Sequence, residues 1–409
     1  MDTSIGNRTQ VSRKFITNLD INDAIKLLGG AFLITLAALI IYREILFQPI
    51  GTSLTPWGSD TMGHLLKVEY LRENLGQGIV YPTMLPDWYM GMQFMRYYPP
   101  LPYFLLVGLQ YLVPNTMATA NWFILLCALA GGLSWLFFRR WIGLLPAICG
   151  GILFLFLPDN LRVAFAEGNL PRVLATALLP LLVFLLLSSI ERSGTIWHRI
   201  GLALCLMMLV LTHVMMAAIY AVCCGLLITL IWVKQPSKVP TYLETLGFIV
   251  LGIMLSAWWL MPSLIGGITG LNASAIMEAL PAVPFRNYLD PTLRAGNPEV
   301  FYVGLALLAL SVISLWVYQE QRSYRIALTA TGCLGILITT PGINQLFKAM
   351  PLSYLLWPLR FLGIASFLLL LALMWSIPGW KKISGFFAVA VVAVLAVDGA
   401  GSLYLVGLR

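Results

Sequence analysis

Apolar segments of about twenty residues alternate with short polar stretches from Leu27 to the end of the chain. An apolar run of this length crosses a bilayer as a helix, because the hydrocarbon core is about 30 Å thick. The pattern therefore predicts an all-α, polytopic membrane protein with about eleven transmembrane helices. The predicted spans are 27–47, 118–138, 142–157, 171–190, 199–212, 214–233, 241–265, 300–318, 326–342, 358–377 and 384–405.

One apolar segment, 101–113, lies between Pro100 and Pro114 and is too short to cross comfortably. As a helix its thirteen residues cover about 20 Å, well under the thickness of the hydrocarbon core. We expect it to lie along the membrane interface instead, within a long outer loop, 48–117.

Charge counting supports this arrangement. If 101–113 does not cross, one set of short loops holds ten basic and two acidic residues, whereas the opposite set holds nine of each sign. The positive-inside rule places the first set in the cytoplasm. We therefore expect residues 1–26 to form a cytoplasmic tail and 27–409 a single transmembrane domain in the cell membrane. The cytoplasmic set is Arg139, Arg140, Arg192, Arg199, Lys234, Lys238, Arg322, Arg325, Lys381 and Lys382, opposed by Glu191 and Glu320.

The same rule divides residues 199–233, which could form one overlong helix or two spans. Only two spans, turning near Thr212 and His213, keep Lys234 and Lys238 inside. His213 is then either a hydrogen-bonded turn residue or a substrate-binding residue.

Composition excludes several other classes of protein. Hydrophobic residues make up 59% and charged residues only 10%, against about 25% charged in soluble domains. The net charge of +8 follows from the cytoplasmic loops, and no basic block with interleaved aromatic residues suggests a nucleic-acid partner. Because the long polar loops all fall on the outer side, we expect the chemistry there.

The first outer loop contains WGSDTMGHLLKVEYLRENLGQG, which predicts a helix after Asp60 that ends near Gly76. Asp60, His64 and Lys67 share one face of that helix, within an arc of about 80°. Either this face carries a site, with Trp57 beside it, or Asp60 only caps the helix and the face is solvated.

The next stretch, residues 81–103, contains seven aromatic residues and five prolines around Asp87. A long regular helix is excluded by the prolines. Aromatic side chains such as Tyr97 and Tyr98 either anchor the chain at the membrane interface or suit sugar faces and prenyl chains.

Two further patches carry charge at the edge of the membrane. In the second outer loop, Asp159, Arg162, Glu167 and Arg172 either form two compensating ion pairs or serve function. Arg360 enters an apolar span with no acidic neighbour in sequence, so it either reaches lipid headgroups or binds a phosphate.

The segments SDTMGHLLKVEYL, YPTMLPDWYMGMQFMRYYPPLPY, RVAFAEGNLPRVLATALLPL and WPLRFLG, in this order, resemble a membrane family whose label mentions 6-pyruvoyl-tetrahydropterin synthase. They also resemble YfhO-type proteins, and both groups are similar to GT-C glycosyltransferases. The resemblance covers roughly residues 30–405 and implies a GT-C-like fold with horizontal juxtamembrane helices in the first outer loop.

The resemblance implies roles for individual residues. Asp60 would be the catalytic base, Glu167 rather than Asp159 the assisting carboxylate, and Arg360 the residue that binds the lipid-linked phosphate. Many relatives have two adjacent acidic residues where this chain has Ser59 and Asp60. A requirement for Mg or Mn therefore stays open, with Asp60 and Glu167 as its ligands if a metal binds.

These comparisons imply an inverting membrane glycosyltransferase. It would move a sugar from a polyprenyl-phosphate-linked donor to a glycan, lipid or protein acceptor on the extracytoplasmic face. The rival functions are a transporter or flippase for a lipid-linked saccharide and a non-catalytic scaffold for envelope assembly. Acidic residues in outer loops and the lack of an internal repeat favour the enzyme over the transporter.

Overall fold

The computed structural model describes residues 21–46, 58–86, 88, 91–191, 195–236, 239–266, 284–289, 301–317, 322–348, 356–380 and 390–398. Among them the only paired extended backbone is an isolated bridge between Leu85 and Met92. The helices are α1 Ile21–Leu46, α2 Thr61–Gly76, α3 Phe94–Tyr97, α4 Leu101–Gln110, α5 Thr116–Ser134, α6 Arg139–Ile142, α7 Leu144–Leu155, α8 Pro158–Leu161, α9 Leu170–Ile190, α10 Ile196–Val210, α11 Val214–Lys234, α12 Val239–Leu255, α13 Ala257–Gly266, α14 Leu305–Val317, α15 Arg322–Leu337, α16 Pro341–Lys348 and α17 Phe361–Trp380.

The all-helical membrane fold predicted from the sequence is confirmed. In the part of the chain that the structure describes, five helices are long and apolar enough to cross a bilayer, and two bent pairs raise the number to seven. The predicted total of eleven spans is not confirmed.

The helix in the predicted span 142–157 meets the next helical segment, Pro158–Glu167, at an angle of 42°, and the predicted span 241–265 is itself bent by 68°. The first bend follows Leu157, which is extended (ψ 125°) because the next residue is a proline. At the second, the hydroxyl of Ser256 donates to the carbonyl of Ile253 at 2.7 Å. Such a local bond competes with the helical backbone pattern.

The predicted outer loop 158–170 is largely helical, which sequence patterning did not indicate. Helix α8 continues directly into a π-helix, Arg162–Glu167. Such segments have i→i+5 hydrogen bonds, and the amide of Gly168 accordingly donates to the carbonyl of Val163 at 3.0 Å. A left-handed glycine, Gly168 (φ 65°), ends the π-helix.

The predicted division at His213 is confirmed, because α10 and α11 are separate helices. His213 is the N-cap of α11, and its Nδ1 accepts from the amide of Met216 at 3.4 Å. Helix α4 has ten residues, or about 15 Å, so it is too short to cross, as expected. The amide of Leu101 in its first turn donates to the carbonyl of Leu211 at 3.0 Å.

Burial separates the centre of the bundle from its edge. In α17, 94% of the apolar window is buried, whereas in α1 only 22% is. The buried side chains form two cores, one around α2, α4 and α5 and the other around α9, α10, α11, α15 and α17. Leu161 belongs to the first core and Leu157 to the second, so the cores meet near α8, next to the charged residues described below.

Candidate functional site

The segment before α2 is held against the π-helix by backbone hydrogen bonds. The amide of Asp60 donates to the carbonyl of Glu167 at 2.9 Å, and the amide of Ser59 donates to that of Ala166 at 3.4 Å. These bonds join two stretches more than one hundred residues apart. The start of α2 is therefore fixed relative to the second charged patch.

Two glycines allow the segment before α2 and the end of the π-helix to approach each other this closely. A Cβ on Gly58 would lie 2.2 Å from the backbone nitrogen of Gly168. A Cβ on Gly168, whose φ is +65°, would lie 1.9 Å from Oγ1 of Thr61. Real Cβ atoms do not come this near to other atoms, so any side chain at either glycine would push the segments apart.

Asp60 stands at the N-cap of α2, but its carboxylate makes no capping hydrogen bond. Instead, Oδ2 accepts from Nδ2 of Asn169 at 3.1 Å, and Oδ1 accepts from the hydroxyl of Ser59 at 3.2 Å. The interpretation of Asp60 as only a helix cap is therefore wrong. Its carboxylate faces the second charged patch.

That patch is a closed ring of four charged side chains, which we call the ion ring: Asp159, Arg162, Glu167 and Arg172. Arg172 binds Oδ2 of Asp159 at 3.2 Å and Oε2 of Glu167 at 2.6 Å. Arg162 binds Oδ1 of Asp159 at 2.8 Å and Oε2 of Glu167 at 3.2 Å. The π-helix makes this ring possible, because its i→i+5 period brings residues 162 and 167 to one face.

The ion ring is buried and electrically balanced. The Asp159 and Arg172 side chains are only 5% and 3% exposed, and two guanidinium groups balance two carboxylates. Burying charges costs free energy unless they are paired in this way. The compensating ion pairs considered from the sequence are therefore present. A catalytic role for Glu167 stays a prediction.

His64 is a buried polar residue of α2. Its Nδ1 lies 2.8 Å from the hydroxyl of Tyr103. Its Nε2 is buried without a hydrogen-bond partner in the described residues. Burial, together with the charge of Lys67, lowers the pKa of His64 from 6.5 to about 3. The predicted face of α2 is thus present but is not solvated.

Lys67 lies one turn further along α2 and is 2% exposed. Its ammonium donates to the carbonyl of Gly63 at 2.9 Å and lies over the rings of Trp88 and Tyr98, at 4.0 and 4.4 Å from their centroids. Burial lowers the pKa of Lys67 from 10.5 to about 8. No carboxylate in the described part of the chain forms an ion pair with it.

The aromatic stretch contributes unequally to the site. Tyr98 contacts Lys67 and also packs edge-on against His64, with ring centroids 6.2 Å apart. Tyr97 lies in α3 and is half-buried. Two other predicted binding residues, Trp57 and Asp87, lie outside the residues that the structure describes.

Arg360 and His213 meet at the N-terminal end of α17. Nη1 of Arg360 lies 3.1 Å from Nε2 of His213 and 3.2 Å from Sδ of Met215, and the guanidinium stacks on the ring of Trp357. Burial, with the charge of Arg360, holds the pKa of His213 well below 6.5. Its ring is therefore neutral at physiological pH.

The neutral ring of His213 can accept a hydrogen bond at one nitrogen only. With the hydrogen on Nε2, Nδ1 accepts from the amide of Met216 at 3.4 Å; with the hydrogen on Nδ1, Nε2 accepts from the guanidinium of Arg360 at 3.1 Å.

The structure brings Asp60 and Arg360 into one region. The charges of Asp60 and Glu167 both act on the guanidinium of Arg360. Gly363, one turn after Arg360, lies against the ion ring, since a Cβ there would be 2.8 Å from Oδ2 of Asp159. Electrostatic interactions connect five residues, Asp60, His64, Lys67, His213 and Arg360, and we call this group of residues the cleft.

The described residues do not fit a divalent metal at the cleft. Within them, no three His, Cys, Asp or Glu side chains are close enough to share an ion. Glu167, the expected second ligand, already binds Arg162 and Arg172. We therefore derive no step through a metal.

Sequence reasoning missed Asn169, Tyr103 and Trp88. Only Asn169 had a local signal, because an asparagine shortly before a proline is typical of a helix N-cap. Its contact with Asp60 spans 109 positions in sequence. The contacts of Tyr103 and Trp88 likewise depend on the tertiary structure.

Comparison with protein families gives a match over residues 95–406. The family is described as a 6-pyruvoyl-tetrahydropterin synthase related domain of membrane proteins. The match includes the ion ring, His213 and Arg360 but begins after Asp60. No curated protein matches the chain in sequence.

Several solved structures are similar in fold. ArnT from Cupriavidus metallidurans, bound to undecaprenyl phosphate, has a TM-score of 0.59 at 13% identity; the match covers 93% of this chain and 76% of that one. The oligosaccharyltransferase AglB from Archaeoglobus fulgidus, in complex with an inhibitory peptide and a dolichol-phosphate, has a TM-score of 0.53 at 13% identity, covering 92% and 55%. The arabinofuranosyltransferase AftD from Mycobacteria has a TM-score of 0.50 at 16% identity, covering 91% and 27%.

The family match confirms the membrane family expected from the sequence, and the structural likenesses confirm the expected GT-C-like fold. At such low identity they concern the fold alone. The chain also spans only about half of AglB and about a quarter of AftD.

Proposed function

The chain belongs to the 6-pyruvoyl-tetrahydropterin synthase related family of membrane proteins, and from that premise we propose that it is a glycosyltransferase. The donor is a sugar linked to a polyprenyl phosphate, and the acceptor is a hydroxyl group of a glycan, lipid or protein. The likeness to structures solved with undecaprenyl phosphate and dolichol-phosphate supports this donor class. The positive-inside rule supports an active site on the extracytoplasmic face.

One observation carries the proposal. A carboxylate, Asp60, and a cation, Arg360 with neutral His213 beside it, belong to the cleft together with the ammonium of Lys67, while the four neighbouring charges of the ion ring neutralise one another. Glycosyl transfer from a phosphate needs a base for the acceptor and cationic stabilisation of the leaving group. The cleft offers both.

The reaction follows from these two groups. Asp60 takes the proton of the acceptor hydroxyl, and the acceptor oxygen forms a bond to the anomeric carbon. The bond from that carbon to the phosphate oxygen breaks, and its electron pair stays on the polyprenyl phosphate. Attack opposite the leaving group inverts the anomeric centre.

The phosphate binds at Arg360, with His213 beside it. A guanidinium donates charged hydrogen bonds to phosphate oxygens, which are strong acceptors, and Nε2 of His213 lies 3.1 Å from Nη1 of Arg360. In the tautomer whose Nδ1 accepts from the amide of Met216, Nε2 carries the hydrogen and donates to the same phosphate. Negative charge develops on the phosphate as the sugar leaves, so both contacts strengthen in the transition state.

Sugar transfer by the purified full chain in detergent tests the proposal. The probes are undecaprenyl phosphates carrying a labelled pentose, hexose or aminosugar, with an extract of envelope glycans as the acceptor. We expect release of undecaprenyl phosphate from at least one donor, and none from Asp60→Asn. If no donor of the panel reacts, the proposal fails. Movement of the donor across liposomes by Asp60→Asn would instead support a flippase.

A further inference from the structure

We propose that Asn169 is the positioning residue that fixes the carboxylate of Asp60 and aims one of its oxygens at the acceptor. The inference rests on the proposed role of Asp60 as a base. Asn169 is 7% exposed and joins α9 to the carboxylate. It would act through Asp60, not on the substrate.

The orientation of the Asn169 amide is determined by its neighbours. Oδ1 accepts from the amide of Arg172 at 3.0 Å, as the N-cap of α9. A backbone amide can only donate, so the oxygen and nitrogen of this side chain cannot be exchanged. Nδ2 therefore has to be the atom that faces Oδ2 of Asp60, at 3.1 Å.

This bond distinguishes the two oxygens of Asp60. Oδ2 is held by a donor whose own position is fixed by the helix cap. In the part of the chain that the structure describes, Oδ1 accepts from the hydroxyl of Ser59 at 3.2 Å. Because that hydroxyl is exposed, Oδ1 is the oxygen available to take a proton.

Asn169→Asp tests the inference with little change in shape. Aspartate caps helices as well as asparagine does, so the bond to the amide of Arg172 is kept. The group facing Asp60 becomes an acceptor with a negative charge, and two adjacent carboxylates ionise less readily. We expect the acid limb of the pH profile of kcat/KM to move up by about one to two pH units. Activity should recover at higher pH.

A second variant and a matched control separate positioning from folding. Asn169→Ser keeps a capping oxygen but is too short to reach Asp60, so we expect a smaller shift in the same direction. Asn115 caps α5 in the same way, with Oδ1 accepting from the amide of Ala118 at 3.0 Å. Asn115→Asp should leave the profile unmoved. A uniform loss of rate at every pH in Asn169→Asp would overturn the inference.

A measurement without turnover distinguishes this inference from the proposed function. Carbodiimide modification depends on protonation of a carboxyl group, and mass spectrometry can follow Asp60 on its own peptide. We expect the pH of half-modification to rise in Asn169→Asp. If wild type transfers no sugar but this shift occurs, the proposed function fails and the positioning stands. If the midpoint does not move, the positioning fails.

Discussion

The ion ring and the cleft lie side by side yet differ in how their charges are balanced. In the ion ring, two arginines bind two carboxylates through four close contacts that are buried or partly buried. In the cleft, Lys67 and Arg360 form no ion pair with any carboxylate in the described residues, and each instead lies over an aromatic ring.

This difference distinguishes charges that maintain structure from charges that await a ligand. The four charges of the ion ring neutralise one another without a bound ion, and their contacts hold α8, the π-helix and α9 together. Partly buried cations without counterions are costly, so their presence favours binding of an anion there. Cations without a paired carboxylate therefore indicate the binding site better than the number of charged side chains in a region does.

The same substitution at two carboxylates gives the sharpest test of this distinction. Asp60→Asn should lower the rate of sugar transfer by about 10²–10⁴-fold, the usual contribution of a general base, without changing stability. Asp159→Asn should instead destabilise the protein by about 3 kcal/mol, because Arg162 and Arg172 lose a counterion. Transfer rates and unfolding in one detergent measure both. Equal loss of rate with unchanged stability would place Asp159 in the reaction and remove the distinction.

Two arginines give the corresponding test for cations. Arg172→Met should cost about 3–5 kcal/mol of stability, because it leaves two buried carboxylates with one partner. Arg360→Met should leave stability unchanged but weaken binding of undecaprenyl phosphate by about 10–100-fold, as expected for charged hydrogen bonds. Thermal unfolding and a binding titration separate the two outcomes. Undiminished binding to Arg360→Met would show that this arginine is not the phosphate ligand.

A smaller effect concerns Lys67 and pH. Its pKa is lowered from 10.5 to about 8 in the folded protein, so between these values the unfolded chain holds a proton that the folded chain has released. Stability should therefore rise with pH across this window, by at most about 1 kcal/mol per pH unit.

Lys67→Met should remove that slope, whereas Lys26→Met, at an exposed position on α1, should leave it in place. The measurement is thermal unfolding from pH 8 to 10.5. Identical slopes in wild type and Lys67→Met would mean that the ammonium is not desolvated by Trp88 and Tyr98.

Much of the fold was predictable because apolar length and charge are local properties. The turn at His213 followed from the positions of Lys234 and Lys238, and the short α4 followed from the prolines on either side. The bends near Leu157 and Ser256 were missed, since hydrophobicity does not report backbone direction. The π-helix at Arg162–Glu167 was also missed, because its i→i+5 bonds have no distinct sequence pattern.

Of the candidate site, the sequence indicated the side chains but not how they pair. Arg162 and Arg172 bind the nearby carboxylates, as one of two interpretations held. That Arg360 lies near Asp60 came from a family resemblance, because 300 residues separate them. The contact of Asn169 with Asp60 could not be predicted from the sequence. The orientation of the Asn169 side-chain amide depends both on its capping bond and on a carboxylate that is distant in sequence.

The contact between Gly58 and Gly168 also offers a way to arrest turnover. A methyl group at Gly168 would displace the segment that carries Asp60 from the π-helix, whereas neither Arg360 nor His213 is among the atoms nearest to a Cβ at either glycine. Under the proposed function, we expect such a protein to bind its lipid donor while presenting no base to the incoming hydroxyl. Gly168→Ala is thus a natural starting point for trapping a stalled donor complex and imaging it.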